Sequence, residues 1–600
     1  MASQVLGDLT RKASAMAASS PTRSSSLRTL FPNSDATDDR GHLMKLRRVE
    51  IHNFRGLVEL DVVLDDYSLL VGPNNVGKST VIDAIRAFYE KDGFKFKKAH
   101  DMPKHFKCDE SWVELTFELT AEEHDSLADD YKVQNRQLRL RKYFISPHKL
   151  KAGVIYGYKN GNELSEDQFY GARDVQHGKL GDIVYIPAMS SVDEHTKLSG
   201  PSALRDLLTN IMEKVVRDGR AFDDFHKNFQ QFSKEIYQES TEDQRSLEGL
   251  ESKLNKMLIP WKSEFRLNFR PPSAAETIKS LLDWDLVDKF HGQEQGIEYF
   301  GSGFQRHFIF SLIQLGSDYA GERPSGRSKD FSPSLKLLLF EEPEAFLHPP
   351  QQEVLARSLM RLASSDDSWQ VICATHSSNF VSRSTRSFPS IVRLRNSPST
   401  GAFEAYQIDT AQWDNIVDDN QQINAIVSNT NPDDSEPEME SVKYFLWLNP
   451  HRANLFFANH VLLVEGPTEV ALINRLVDDG MIQEAEGGFY VVDCIGKHNV
   501  HRFMKLLSAL GISHSVIHDD DGNQDQHRNI NQLIHDSVDS TFTHCVEPIS
   551  GSTESMLGIP EGKPKHRKPQ NVLYHYESGQ IDQSKITDFC ALVESCLPLS

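Results

Sequence analysis

The run Tyr67-Ser-Leu-Leu-Val-Gly72-Pro73-Asn74-Asn75-Val76-Gly77-Lys78-Ser79-Thr80 constrains the fold of this chain more than any other. An apolar strand-like stretch opens into a loop bracketed by glycines and then into the helix-like VIDAIRAFYE. This is G-x-x-x-x-G-K-[ST] in a strand, loop and helix context. Gly72 and Gly77 let backbone N–H groups close around phosphates at a helix N-terminus, where the positive end of the dipole lies. Lys78 reaches the β- and γ-phosphates, the Ser79 hydroxyl ligates Mg²⁺, and Asn74, Asn75 and Thr80 complete the nucleotide cradle. A parallel α/β sheet that binds a nucleoside triphosphate is therefore expected, with ligands at the carboxyl ends of its strands.

The second half of such a site is expected from LLLFEEPEAFLHPP, an apolar strand that delivers Glu341 and Glu342 to its end. Glu341 suits Mg²⁺, held directly or through water, and Glu342 suits orienting or deprotonating an attacking water. The strand VICATH sets His376 where a donor to the γ-phosphate is useful. With these residues in place the chain resembles the ABC-type ATPases of the RecF and chromosome-maintenance kind. That resemblance implies that Glu342 is the Walker B glutamate and His376 the switch histidine. It also implies a signature sequence, similar to Gly301-Ser302-Gly303-Phe304-Gln305-Arg306, in which Ser302 and Gly303 contact the γ-phosphate of a second subunit. Phe304 stands where the usual pattern has a second glycine. A dimer or larger assembly follows, since neither subunit alone owns a complete site.

Six hundred residues exceed what one hydrophobic core serves, so at least two domains are expected. Residues 1–43 read as a disordered tail rich in Ser, Ala and Arg, a transit peptide being the other reading. Residues 44–410 form the ATPase domain, with strands KLRRVEIHNF, VELDVVLDDYSLLVG, DIVYIPAM, SLKLLLFEEPE and WQVICATHSS and a helical, dimerisation-like insertion over about 202–290. Residues 411–443 are acidic and rich in Asn and Pro, the composition of a linker. Residues 444–600 read as a smaller α/β domain built on HVLLVEG, FYVVDCIG and HSVIHDDDG.

That last domain carries a second constellation. Glu465 ends a buried strand, and Glu469 follows in the first turn of the next helix. Asp519, Asp520 and Asp521 end another strand, where alternation sends Asp519 and Asp521 to one side. Crowded carboxylates repel unless a cation neutralises them, and hard oxygen donors suit Mg²⁺ or Mn²⁺. Helix capping or a calcium loop is the plainer reading of each motif alone. In order, and each at a strand end, they resemble the Toprim domain of topoisomerases, primases and nucleases of the overcoming-lysogenization-defect (OLD) family. An ABC-type ATPase followed by a Toprim domain is the layout of OLD endonucleases, which include the nuclease subunit of the Gabija anti-phage system. The resemblance implies that Glu465, Glu469, Asp519 and Asp521 bind two metals, that Glu554 is a further acidic ligand, and that a C-terminal lysine neutralises charge on the transition-state phosphate. Lys563, Lys565 and Lys568 are the candidates; we favour Lys568, directly before Pro569, and a basic patch gripping the DNA backbone is the other reading.

The implied activity is ATP-controlled, metal-dependent DNA cleavage by a cytoplasmic homodimer or homotetramer, with a helicase-like protein as a possible partner. The alternative is an ATP-driven DNA-binding or repair scaffold of the RecF type with a non-cleaving Toprim domain. A topoisomerase needs a tyrosine nucleophile on a DNA-gating domain, and a primase a zinc-binding domain; neither domain is recognisable. A net charge of -21 argues against a protein that coats nucleic acid non-specifically. It leaves room for local basic runs, Lys91–Lys107 and Arg136–Lys151, either as DNA contacts or as solvated faces. The six cysteines are scattered, with no C-x-x-C pair, and read as reduced thiols. No window approaches the roughly 18 apolar residues of a membrane helix, so no membrane partner is expected.

Overall fold

The computed structural model describes residues 43–90, 94–104, 108–146, 150–169, 180–188, 208, 221–243, 245–270, 284–289, 292–319, 335–364, 369–384, 388–398, 400–421, 423–426, 437–483, 488–521, 525–560 and 567–598. Residues 1–42 of the expected tail, much of the insertion at about 202–290, and both Lys563 and Lys565 lie outside the described residues.

The strands of the first part are β1 (Lys45–Phe54), β2 (Leu57–Val63), β3 (Tyr67–Val71), β4 (Ser111–Glu118), β5 (Gln137–Ile145), β6 (Ile155–Lys159), β7 (Glu163–Gln168) and β8 (Asp182–Ile186). The short hairpin partners β9 (Leu286–Asp288) and β10 (Gln293–Gln295) precede β11 (Lys336–Glu341), β12 (Gln370–Ala374), β13 (Ile391–Asn396) and β14 (Phe403–Gln407). Two six-stranded sheets result. One is antiparallel, in the order β2-β1-β4-β5-β6-β7; the other runs β14-β13-β3-β12-β11-β8 and is parallel except for its β13–β14 edge.

The phosphate-loop strand β3 is central in the parallel sheet and fully buried, as its unbroken apolar run requires. Alternation divides the side chains of this sheet between two cores. Leu70, Leu337, Leu339, Ile372 and Leu394 pack with the helix Lys78–Tyr89 and the antiparallel sheet. Leu69, Val71, Leu338, Phe340, Val371 and Cys373 join the opposite core. In the insertion, helices Ala221–Gln238 and Leu247–Leu258 are described.

The last part holds a four-stranded parallel sheet, β16-β15-β17-β18, from β15 (His460–Val464), β16 (Tyr490–Asp493), β17 (Ser513–Asp519) and β18 (Thr543–Ile549). Its Val461, Leu463, Val492 and Val516 enter the same core as Leu338 and Phe340 of the first part. The other face, with Leu462, Val464 and Ile517, is covered by helices that supply Leu472, Leu476, Val572 and Phe589.

The stretch 411–443, linker-like in composition, is helical at both ends, over Thr410–Asn420 and from Pro437 onward. Asp409 caps the first helix by accepting from the Gln412 N–H at 2.7 Å. Trp413 stacks on Phe388, with ring centroids 4.9 Å apart, and meets the buried Tyr444. Asp414, Asp418 and Asp419 face solvent, while Glu440 is buried against Arg502 at 2.7 Å, so an element anchored by aromatic side chains and one buried ion pair has the composition of a tether.

A buried arginine ties the two sheets together. Arg393 of β13 donates from Nε to the Phe456 carbonyl (3.2 Å), from Nη2 to Ala458 (3.0 Å) and from Nη1 to Leu510 (3.4 Å) and Gly511 (3.0 Å). Among the described residues no carboxylate pairs with it, and burial followed by repulsion from Arg395 brings its pKa down to about 9, still charged at neutral pH. Leu510 and Gly511 close the helix Val500–Ala509, whose carbonyl end is the negative pole of its dipole.

Candidate active sites

The phosphate loop is held open by backbone that only glycine accepts without strain. Gly72 has φ +133 and Gly77 φ +93; a Cβ at Gly72 would lie 2.2 Å from the Leu394 carbonyl, and one at Gly77 would lie 2.5 Å from the Phe403 ring. Lys78 is buried, and its Nζ donates to the carbonyls of Gly72 (2.9 Å) and Pro73 (2.6 Å), the loop it would hand to a phosphate. Burial lowers its pKa to about 8, partly offset by Glu342 and Glu344. Asn74, Asn75, Gly77, Lys78, Ser79 and Thr80 line one open cavity of ≈ 640 Å³ together with Glu342, Glu344 and His376.

Glu341 closes β11 with its carboxylate buried, hydrogen-bonded by the Ser79 hydroxyl, and burial holds its pKa above the usual carboxylate range. Glu342 sits past the strand end at φ +43, its N–H donating to the Ala374 carbonyl at 2.7 Å. That left-handed backbone is costly for a residue with a Cβ, and such strain collects at functional positions. His376 stands at the mouth of the cavity; partial desolvation, then the Lys78 charge, keep its pKa below the ordinary imidazole value.

Glu344 does not stand out in the sequence, yet it organises this edge. Its carboxylate accepts from the Thr375 hydroxyl (2.8 Å) and the His376 N–H (2.6 Å), and burial raises its pKa. Its spacing from Glu341 gave the only hint. Ser302 and Gly303 do not line the cavity of their own chain. Gly303 backs onto the strand-end turn instead, where a Cβ would meet the Phe346 carbonyl at 2.7 Å. Arg306, one turn on, donates to the Glu342 carbonyl at 2.5 Å and to Pro187 at 2.8 Å.

The second site forms at the carboxyl edge of the four-stranded sheet. Glu465 follows β15, and its Oε1 accepts from the Asp519 N–H at 2.8 Å. Glu469, in the first turn of the helix Pro467–Asp478, accepts from the Gly466 N–H (3.1 Å) and the Thr553 hydroxyl (2.9 Å). Thr553 also donates its N–H to Asp519 Oδ1 at 3.2 Å. The fully buried Glu554 pairs with Lys568 Nζ at 3.1 Å. Asp520 turns the other way, to Asn531 Nδ2 at 3.0 Å, while Asp521 adopts φ +43. Glu465, Glu469, Asp519 and Glu554, joined by Asp521, thus come to one edge with Lys568 among them.

Their electrostatics record the crowding. Burial, then the Asp519 charge, push Glu465 up to about 8; burial, then Glu469 and Asp521, push Asp519 up to about 7. Burial likewise raises Glu469. This is a set of hard oxygen donors short of positive charge, the donor chemistry of Mg²⁺ or Mn²⁺. Among the described residues no three such side chains already surround one point, so a bound ion would have to draw the oxygens in.

Sequence reasoning missed Lys497, whose side chain is 3 % exposed in this acidic edge. Its Nζ donates to the carbonyl oxygens of Asp519 and, at 3.2 Å, of Asp520, and lies 3.9 Å from Asp521 Oδ2. A lone lysine after a glycine carries no signal until the fold folds it inward.

Within the basic run Arg136–Lys151, three side chains are turned onto protein partners, and Lys149 lies outside the described residues. Arg139 and Arg141 converge on the buried Glu114 at 2.5 and 2.7 Å, and Lys142 is buried against Glu90 and the carbonyls of Ala87 and Phe88. Lys95 of the other run lies 3.6 Å from Glu90.

A glycine-bracketed phosphate loop facing a strand-end acid pair defines a P-loop nucleotide-binding domain, and the carboxylate-edged parallel sheet behind it defines a Toprim-like domain. Comparison with protein families agrees: the AAA ATPase domain model matches residues 44–169 and 153–381, and the overcoming lysogenization defect protein-like TOPRIM domain model matches residues 456–521. The chain belongs to the AAA ATPase domain family and carries an OLD-like TOPRIM domain behind it. It is 23% identical over 532 residues to the Old nuclease of Escherichia phage P2, covering 86% of this chain and 82% of the relative. The OLD nuclease of Thermus scotoductus is 22% identical, covering 79% and 82%, and Endonuclease GajA of Bacillus cereus is 21% identical, covering 80% and 75%.

Proposed function

We propose that this chain is an ATP-binding, divalent-metal-dependent DNA endonuclease. The observation that carries the reading is the convergence of Glu465, Glu469, Asp519, Asp521 and Glu554 on one sheet edge, with Lys568 on Glu554. Relatives named as nucleases over most of the chain support it.

Glu465, Glu469, Asp519 and Asp521 would hold Mg²⁺ or Mn²⁺, with Glu554 as a further ligand. A bound ion would polarise the scissile phosphate and lower the pKa of a water. Glu465, held beside Asp519 at the sheet edge, is placed to orient an attacking water as well as to hold the ion. Lys568 supplies positive charge where it develops on the phosphate oxygens, and Glu554 holds its ammonium in position.

In the first site Lys78, Ser79 and Glu341 would bind ATP and Mg²⁺, Glu342 would direct water, and His376 would donate to the γ-phosphate. Ser302 and Gly303, outside the cavity of their own chain, suit contact with the nucleotide of a second copy, hence a homodimer or homotetramer. A cytoplasmic role in anti-phage defence, with a helicase-like partner, completes the reading. No helix among the described residues is long and apolar enough to cross a membrane.

A nicking assay on supercoiled plasmid tests it. The native protein should relax plasmid with Mg²⁺ or Mn²⁺, and Asp519→Ala should lose at least about a hundredfold, more than outer-shell changes at metal sites cost. Intact plasmid with the native protein across metals and nucleotides defeats the nuclease reading.

A further inference from the structure

We infer that Lys497 is a positioning residue of the carboxylate site: its ammonium holds the Asp519–Asp521 turn in the shape that points Asp519 and Asp521 at the metal-binding edge. The inference rests on the nuclease reading above.

The geometry is specific. Lys497 reaches the turn from the far side of the sheet edge, out of the loop after β16, where Gly496 takes φ +105 and donates its N–H to the Glu465 carbonyl at 2.7 Å. The same short segment is therefore fastened to both halves of the site, to Glu465 through Gly496 and to the aspartate turn through Lys497. Nζ donates its protons to main-chain carbonyls, those of Asp519 and Asp520, and lies 3.9 Å from the Asp521 carboxylate, with its charge also reaching Glu465. An ammonium whose function was charge neutralisation would sit on a carboxylate; one that grips two successive carbonyls sets the path of the backbone.

That path turns left-handed. Asp521 adopts φ +43, a region that most residues with a Cβ avoid and that Asp and Asn enter as single turn residues. Asn531 Nδ2 holds the Asp520 carbonyl as well, at 2.8 Å, from the solvent side. Lys497 supplies the buried side of this grip. Without it the carbonyls of Asp519 and Asp520 lose their charged donor on the side facing the buried Lys497, and the turn is free to take another path.

Two effects of removing the ammonium have opposite signs, which makes the role testable. Loss of a nearby positive charge strengthens attraction of a divalent cation to the carboxylates. Loss of the turn geometry weakens it, because carboxylates no longer converge. Residues that orient metal ligands change affinity or activity by about 10- to 100-fold.

The test uses the full chain, with Mn²⁺ as the probe, binding read by electron paramagnetic resonance titration, nicking by kcat and KM, and folding by thermal melt. For Lys497→Met the expected result is a Mn²⁺ Kd weakened by about tenfold or more, kcat reduced by a similar factor, KM for plasmid changed less than about twofold and ATP binding unchanged. A folded Lys497→Met with unchanged or tighter Mn²⁺ binding overturns the assignment. Should Lys497→Met not fold, Lys497→Arg, which keeps charge and donors, decides. Mn²⁺ affinity and nicking near native support the inference; a restored melt without restored nicking overturns it, as does failure of both variants to fold. Failure of the nuclease reading looks different: the native chain does not nick, and Asp519→Asn binds Mn²⁺ as the native chain does.

Discussion

Single side chains at both sites are tuned by what surrounds them, and the acids near the second site make that tuning measurable. The carboxyl groups of Glu465 and Asp519 are held at about 8 and about 7, above their unfolded values. A carboxyl whose folded pKa is raised binds its proton more tightly in the native state. Its contribution is present at low pH and is lost as pH rises through the folded value. Metal-free protein should therefore lose this contribution progressively between about pH 4 and 8 and level off above it, and Glu465→Gln should flatten that slope; melts across this range with Mn²⁺ withheld check it. Sequence reading found these acids because each ends an apolar strand. It could not find Lys497, Thr553 or Glu344, whose importance comes from bonds across 22, 84 and 32 positions of chain.

At the scale of elements, β3, β11, β12, β15, β16 and β17 were legible because both faces of a parallel sheet are buried and leave unbroken apolar runs. The antiparallel strands β4 to β7 were not. Charged residues such as Glu114, Arg139, Arg141 and Lys142 interrupt their pattern, and only the folded sheet shows those charges neutralising one another inside. The helices in the stretch 411–443 were hidden for a related reason, their aromatic anchors being diluted among acids. The loop after β3 yields the sharpest prediction here. Gly77→Ala places a Cβ into the Phe403 ring at φ +93, so binding of a fluorescent ATP analogue should fall by about tenfold or more while the melt midpoint moves by only a few degrees. Unchanged nucleotide binding would show that the loop re-forms around the methyl group.

Across the whole molecule the two sheets share one core and one buried guanidinium. Arg393→Met leaves the carbonyls of Phe456, Ala458, Leu510 and Gly511 without their donor, a loss of about 1–3 kcal/mol for each acceptor that stays buried and unsatisfied. The expected calorimetric outcome is a lower and broader melt that separates into two transitions, whereas a single unshifted transition would show that apolar packing alone holds the sheets. Arg393 pairs in register with Val71, the residue before the phosphate loop, so the strand that carries the loop is one hydrogen-bonded neighbour from the clamp. Nuclease and nucleotide sites in this chain are accordingly not modules that evolution can trade one at a time. A gene that split them would strand Leu338 and Phe340 on one product and Val461 and Leu463 on the other, each facing water.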